Sequence, residues 1–266
     1  MLQSLFISHG SPDLVLRDHP ARRFLLALGH RLPKPRGALI ISAHFETPDL
    51  VLGSAERPDT LHDFYGFPDA LYQQHYPAPG LATHAHQLAS ELVTRGYPVS
   101  TDSTRPLDHG IWSPLSLIWP EADVPLMPVS VPMTWQPQQQ LAVSRHLGDF
   151  AEREDVWLIG SGAATHNLGD RHPEGVPPDG WAQAFNDWTK RIAQEGNLTA
   201  LSEWQRQAPR ALHAHPTPEH FLPLLMTLGA MQGKPMIALH DSFASGNLSM
   251  LTLASSSLCD AWYQTA

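Results

Sequence analysis

The chain has 266 residues, of which 42% are hydrophobic and 16% charged, and its formal net charge is -9. Nucleic acids and anionic membranes both bind through a basic face, so an acidic chain is not expected to have either as a partner. A single cysteine, Cys259, excludes an internal disulfide and a cysteine-based zinc site. No apolar run approaches the roughly 20 residues of a membrane span, and residues 2–8 are too few for a signal peptide, so we expect a cytoplasmic protein.

Short apolar runs alternate with helical patterns, with no repeat or flexible linker between them. The predicted strands are 2–8, 37–43, 98–101, 125–131, 156–160, 235–239 and 249–254. The predicted helices are 20–28, 81–95, 111–119, 137–151, 181–195 and 220–229. Strands 37–43 and 156–160 are apolar on both faces, which is typical of a sheet covered by helices on both sides. The sequence therefore predicts one α/β catalytic domain over residues 1–266, with a mainly parallel or mixed central sheet.

Residues 54–80 follow neither a helical nor a strand period and are rich in turn residues and aromatics. A connection this long and irregular within a compact domain is usually a functional loop. Its segment 62–68, which contains Phe64 and Phe67, fits a packed aromatic loop and a pocket lid equally well. Both interpretations stay open on the sequence.

Four histidines stand where an apolar run gives way to loop-like sequence: His9, His44, His166 and His220. Strand ends in an α/β sheet deliver side chains into one crevice. Several neutral imidazoles meeting there, without cysteine, favour a catalytic metal over a structural one. Imidazole binds zinc, iron, copper and nickel, so the histidines alone do not identify the metal.

Other features of the sequence carry weaker signals. His166 follows the glycine-flanked Ser161, but the spacing matches neither a phosphate-binding loop nor a nucleophile elbow. His109 lies before a predicted helix, and as an isolated feature it is more readily interpreted as a packed residue than as a functional one. His84 and His86 are two apart on a predicted helix, so they face different directions and are not expected to share an ion. For His213 we expect a surface position, and for His215 a surface position or one behind the site.

Eight segments together resemble the class III extradiol ring-cleavage dioxygenases, in particular the family of 4,5-DOPA dioxygenase extradiol-like proteins. They lie at 8–12, 42–44, 62–68, 72–80, 108–112, 160–167, 219–225 and 246–250. Each segment is short, but all eight follow the order of the family. The resemblance covers most of the chain.

The resemblance implies one divalent metal ion, zinc or Fe(II), held by His9, His44 and His220, with His166 as a fourth ligand by the family pattern. It also implies that His109 lies near the substrate as an acid/base or orienting group. More distant class III enzymes use two histidines and a glutamate, so His220 would take the place of the carboxylate here. We assign His109 and His166 to catalysis, with the second of these also within reach of the metal.

The expected reaction is extradiol opening of a catechol-type ring, DOPA-like or related, with O2. Metal coordination would lower the pKa of the diol oxygens, and histidine is the natural proton carrier near neutral pH. Phe64, Phe67 and Tyr72 are expected to form apolar walls for the ring. Two alternatives use the same histidines, a zinc-dependent hydrolase and a metal-binding protein without turnover. The sequence leaves the catechol, the metal and the oligomeric state, monomer or homodimer, open.

Overall fold

The computed structural model describes residues 1–265 and contains one large mixed sheet between two layers of helices. The strands are β1 (Ser4–Ser8), β2 (Ala38–Thr47), β3 (Leu50–Gly53), β4 (Val99–Asp102), β5 (Leu126–Pro132), β6 (Trp157–Gly162), β7 (Met236–His240), β8 (Phe243–Ala244), β9 (Leu248–Ser249) and β10 (Thr252–Ser255). The helices are α1 (Pro20–Arg31), α2 (Asp69–Tyr72), α3 (Ala82–Thr94), α4 (His109–Ile118), α5 (Pro137–Arg153), α6 (Gly180–Glu195), α7 (Leu198–Ser202), α8 (Trp204–Gln207), α9 (Ala211–Ala214), α10 (Leu222–Ala230) and α11 (Ser256–Gln264).

Eight strands form the large sheet in the order β4-β3-β5-β2-β6-β1-β10-β7. The four central strands, β5, β2, β6 and β1, run parallel to one another, while β3 and β10 join them antiparallel. Parallel neighbours bring their carboxyl ends to the same edge of a sheet, where α/β proteins form their binding crevice. The predicted mixed sheet is confirmed.

The buried side chains of each central strand alternate between two hydrophobic clusters. In β1, Phe6 belongs to the cluster under α3, α5, α6 and α10, whereas Leu5 and Ile7 belong to the cluster under α1, α4 and α11. In β2, Leu39 and Ile40 divide in the same way. Helices therefore cover both faces of the sheet, as the two-sided apolar strands predicted.

Most predicted elements are present, with shifted boundaries, and the differences are informative. Strand β2 continues through His44 to Thr47, past a register shift between Ile41 and Glu46, so His44 lies within a strand and not after it. The predicted strand 249–254 is divided between β9 and β10. Helix α10 begins two residues after His220.

Strand β3 and the short helices α2, α7, α8 and α9 were not predicted, because four or five residues carry too little periodicity. Helix α11 was not among the predicted helices, and Cys259 lies in it, buried.

Nothing among the helices of residues 1–265 has the length and apolar character that crossing a membrane would need.

Helix α10 is apolar on every side and packs directly on β6, where glycine permits the close approach. A Cβ at Gly160 would lie 2.1 Å from the Thr227 hydroxyl oxygen and 2.6 Å from the Pro223 carbonyl oxygen. A Cβ at Gly162 would lie 2.3 Å from the carbonyl oxygen of His220. The glycines on either side of Ser161 thus seat α10, and with it His220, against the end of the strand.

We expect Gly160→Ala to lower the free energy of unfolding by about 1–3 kcal/mol, because the added methyl group collides with the backbone of α10. Urea denaturation of the metal-free protein measures this change. Gly180→Ala is the matched control, since a Cβ there meets nothing within 4 Å. Equal stability of the two variants would contradict this account of the packing.

Candidate metal centre and substrate cavity

Five imidazole rings converge at the carboxyl edge of the central parallel strands. His9 follows β1, His44 lies near the end of β2, and His166 follows β6. His109 is the first residue of α4, and His220 lies just before α10. The ring centroids of His9, His44 and His220 are 5.0, 5.4 and 4.9 Å apart, a nearly equilateral triangle. The structure therefore brings together all five histidines that the sequence predicted for the site.

Hydrogen bonds behind two of these rings determine which nitrogen faces the site. The Ser161 hydroxyl donates to the Gly110 carbonyl oxygen, so the hydroxyl oxygen accepts from His9 Nδ1–H at 3.0 Å. His220 Nδ1 lies 3.0 Å from Glu219 Oε1, a carboxylate that only accepts. Both rings therefore carry their hydrogen on Nδ1 and present a bare Nε2. This is the pattern of metal-binding histidines, whose second nitrogen is bonded to a carboxylate, hydroxyl or carbonyl group.

Asp63, from the irregular loop, lies against two other rings of the cluster. Its Oδ1 accepts from His109 Nδ1 at 2.9 Å and from the His109 backbone N–H at 3.0 Å. Its Oδ2 lies 3.5 Å from His44 Nδ1. Burial raises the pKa of Asp63, but the side-chain and backbone hydrogen bonds from His109, together with the electrostatic attraction of His109 and His44, outweigh burial and lower that pKa to about 2. The carboxylate thus stays ionised and leaves His109 Nε2 free toward the site.

His166 stands apart from the triangle because its ring stacks on that of His220. The two centroids are 3.4 Å apart and the planes differ by 11°. Imidazole lone pairs lie in the ring plane, so two stacked parallel rings direct them along parallel lines rather than to one point. This geometry favours His166 as a neighbour of a bound ion over His166 as a second ligand beside His220.

Burial keeps these rings uncharged in the absence of a metal. It lowers the pKa of His44 to about 3 and that of His166 to about 4, and it holds the pKa values of His9 and His220 well below the usual range. The neighbouring imidazoles add to the effect on His9 and His44. Neutral imidazole is the form that binds metal, so the cluster needs no deprotonation near neutral pH.

The donor set fits a divalent ion. Nε2 of His9 and Nε2 of His44 are 3.2 Å apart, and two nitrogens bound to one zinc at about 2.0–2.1 Å in a tetrahedral site are about 3.4 Å apart. Nitrogen lone pairs this close repel each other unless a proton or a cation lies between them. Ligand atoms also group within 4.8 Å as two sets, His9 with His44 and His109, and His166 with Glu219 and His220.

The histidines form one end of a cavity of about 340 Å³. Its apolar walls include Phe64, Phe67, Leu248 and Met250, and Arg17 and Arg171 also line it. Phe64 thus takes the expected position, with its ring 5.8 Å from that of His109. Tyr72 differs from expectation, since it is not part of the lining and packs 5.3 Å behind the Phe64 ring. A tyrosine one layer back supports the wall without touching the cavity.

The loop 54–80 is anchored to the body of the protein on both sides of this wall. The Tyr76 hydroxyl donates to the Trp119 carbonyl oxygen at 3.0 Å, and the Trp112 indole N–H donates to the Leu61 carbonyl oxygen at 2.9 Å. Both side chains are buried. The loop therefore packs on the body and lines the cavity at once, which joins the two interpretations that the sequence left open.

Sequence reasoning missed the partners of the histidines. Asp63 lies in the segment 62–68, whose pattern predicts a packed loop or a pocket lid but no contact with a histidine, and adjacency in the sequence does not show that Asp108 touches the ring of His109. Asp108 instead accepts from Ser42 at 2.7 Å and pairs with Arg105. His213 is half-exposed and pairs with Asp170, as a surface position predicts. His215 is fully buried, and its Nε2 donates to the Ala164 carbonyl oxygen at 2.9 Å, just before His166.

Comparisons with known proteins agree with this geometry. The sequence profile of a family described as the catalytic LigB subunit of aromatic ring-opening dioxygenase matches residues 6–251. The chain belongs to this family. It is 36% identical to a 4,5-DOPA dioxygenase extradiol of Beta vulgaris, over 93% of this chain and 94% of the relative. It is also 36% identical to a 4,5-DOPA dioxygenase extradiol of Escherichia coli strain K12, over 95% of this chain and 94% of the relative.

More distant members and a solved structure extend the likeness. A protein of Hapsidospora irregularis called dioxygenase tasH is 32% identical over 84% of this chain and 76% of the relative. The crystal structure of an uncharacterized Escherichia coli K12 protein superposes with a TM-score of 0.79 at 31% identity, covering 96% of this chain and 100% of that one. The family membership predicted from the eight segments is confirmed, and the chain is an extradiol ring-opening dioxygenase, metal-dependent as LigB dioxygenases are.

We expect Phe67→Ala and Tyr72→Ala to have different effects, because only Phe67 lines the cavity. Phe67→Ala should raise KM for an aromatic substrate or change which one is preferred. Tyr72→Ala should lower the free energy of unfolding by about 0.5–3 kcal/mol and leave substrate preference intact. Steady-state kinetics and urea denaturation of both variants test this. A change in preference caused by Tyr72→Ala alone would reverse the assignment.

Proposed function

We propose that the chain opens the ring of a catechol-type substrate with O2, cleaving beside the diol, at a site with one divalent metal ion. The observation that carries this proposal is the convergence of five histidines on an apolar-walled cavity, in a member of a ring-opening dioxygenase family. Relatives named for 4,5-DOPA support a DOPA-like catechol as the substrate. We extend the proposal to residues 1–266 as one catalytic domain.

His9, His44 and His220 are the proposed metal ligands. Their rings form the triangle described above, and His9 and His220 present a bare Nε2 toward it. The His44 and His109 centroids are only 3.9 Å apart, which is crowded for two ligands of one ion. His109 is therefore assigned to the substrate, and His166 is assigned a place beside the ion as a further proton-transfer group. Zinc and Fe(II) both fit this donor set, and ring opening with O2 calls for Fe(II).

When bound, a divalent ion supplies Lewis acidity, which lowers the pKa of the diol oxygens. His109 Nε2 is the proposed base that takes a proton from the diol. Asp63 holds the other hydrogen of this ring on Nδ1 and stabilises the imidazolium that forms, in the way that a buried carboxylate orients a catalytic histidine. Returning the same proton to the ring-opened product would complete the cycle.

The apolar walls have a second role in this proposal. Phe64 and Phe67 meet at a centroid distance of 5.2 Å and give a flat ring an edge-to-face surface close to His109. They also keep bulk water away from the diol end of the cavity. A cytoplasmic location and the choice between monomer and homodimer stay predictions, and size-exclusion chromatography measures the second.

The decisive experiment loads the metal-free protein with Fe(II) or zinc under anaerobic conditions and then adds air and a panel of catechols. We expect O2 uptake and a ring-opened semialdehyde with Fe(II). Ester or amide hydrolysis by the zinc form without O2 would favour a hydrolase instead, and stoichiometric metal without either reaction would indicate a binding protein. His9→Ala, His44→Ala and His220→Ala should each lose stoichiometric metal, measured by elemental analysis.

His109→Ala and Asp63→Asn should both keep the metal and lower kcat/KM by about 10²–10⁴-fold, because each disables the proposed proton transfer. Asp123→Asn, at an exposed carboxylate paired with Lys34, is the control for a lost charge. Loss of metal from the His109 variant would move that residue into the coordination sphere. Unchanged turnover in either variant would remove it from the mechanism.

A further inference from the structure

Two arginines line the cavity together with the histidines, Arg17 and Arg171. Arg17 is already paired, with Asp13 at 2.7 Å and Glu174 at 3.5 Å. Arg171 is different. Its Nε donates to the Leu168 carbonyl oxygen at 3.0 Å, and within residues 1–265 its guanidinium forms no ion pair. Its two terminal nitrogens are therefore free to bind an anion.

The segment that carries Arg171 is anchored to the segment that carries His166. Asn167 caps the short turn by accepting from Gly169 N–H at 3.0 Å, and its own amide donates to the His213 carbonyl oxygen at 2.8 Å. The next residue after Arg171, His172, donates its backbone N–H to the Ser245 carbonyl oxygen at 2.8 Å. Four residues of anchored turn, 167–170, thus lie between His166 and Arg171.

From this arrangement we propose that Arg171 selects catechols that carry an anionic substituent, a carboxylate on the side chain, over neutral ones. This rests on the proposed function, since it places the diol at the histidines and the ring against Phe64 and Phe67. The substituent opposite the diol then points away from the histidines, and Arg171 is the cavity-lining arginine that has no ion-pair partner within residues 1–265 to compete for it. A planar guanidinium with free terminal N–H groups matches a carboxylate in charge and shape.

The test compares two ligands of nearly equal size, 3-(3,4-dihydroxyphenyl)propanoate and its neutral amide. Their dissociation constants are measured without O2 on the Fe(II)-loaded protein by calorimetry, and kcat/KM is measured afterwards in air. The wild-type chain should prefer the carboxylate. Arg171→Gln should weaken binding of the carboxylate by about 5-fold to 50-fold and leave the amide within about 2-fold. Arg171→Lys should restore part of the preference, and added salt should reduce it.

Two controls keep the outcome specific to this residue. Arg145→Gln removes the same charge from the exposed face of α5, which does not line the cavity, and should change neither constant. Equal losses for both ligands in Arg171→Gln, no loss for either, or a preference that only Arg17→Gln abolishes would overturn the proposal. A wild-type preference that Arg171→Gln removes, without ring opening in air, would support the selection by Arg171 and reject the proposed function.

Discussion

The site depends on the burial of uncharged imidazoles against one another at the edge of a parallel sheet. An isolated imidazole in water takes up a proton as the pH falls through its usual pKa. Burial and the repulsion between neighbouring imidazoles lower the pKa values of His9, His44 and His220, so these rings stay uncharged. Bare nitrogens crowded in this way are costly without a cation, and the fold must retain them in place. The packing of α10 on β6 and the partners behind each ring supply that restraint.

The residues behind the rings give chemically identical histidines different surroundings. Ser161 and Glu219 fix the tautomers of His9 and His220 from behind, whereas Asp63 binds both His109 and His44 from the loop side. In the proposed function, the same ring type holds a metal in one position and moves a proton in another. Environment determines the role, as it does for paired carboxylates in other enzymes.

The irregular loop links this chemistry to substrate recognition. One segment supplies Asp63 to the histidines and Phe64 and Phe67 to the wall, with Tyr72 behind them. A change that shifts the loop would alter acid/base geometry and ring binding together. Arg171 lines the same cavity from a different segment, so the proposed selection of the substituent depends on a part of the chain other than the loop.

The sequence by itself determined the fold class, because strands that are apolar on both faces can be buried only between two layers of helices. It also identified His9, His44, His166 and His220 as candidates, since strand ends in such a sheet share one edge, and the ordered motifs identified the family and, through it, His109. Only the tertiary structure decided which groups stand behind each ring. Asp63 is 46 residues from His109, and Ser161 is 152 from His9, and no local period encodes contacts at such separation. Packing between segments likewise decided that His166 stacks on His220, that Tyr72 lies behind the cavity wall, and that the Arg171 guanidinium has no ion-pair partner within residues 1–265.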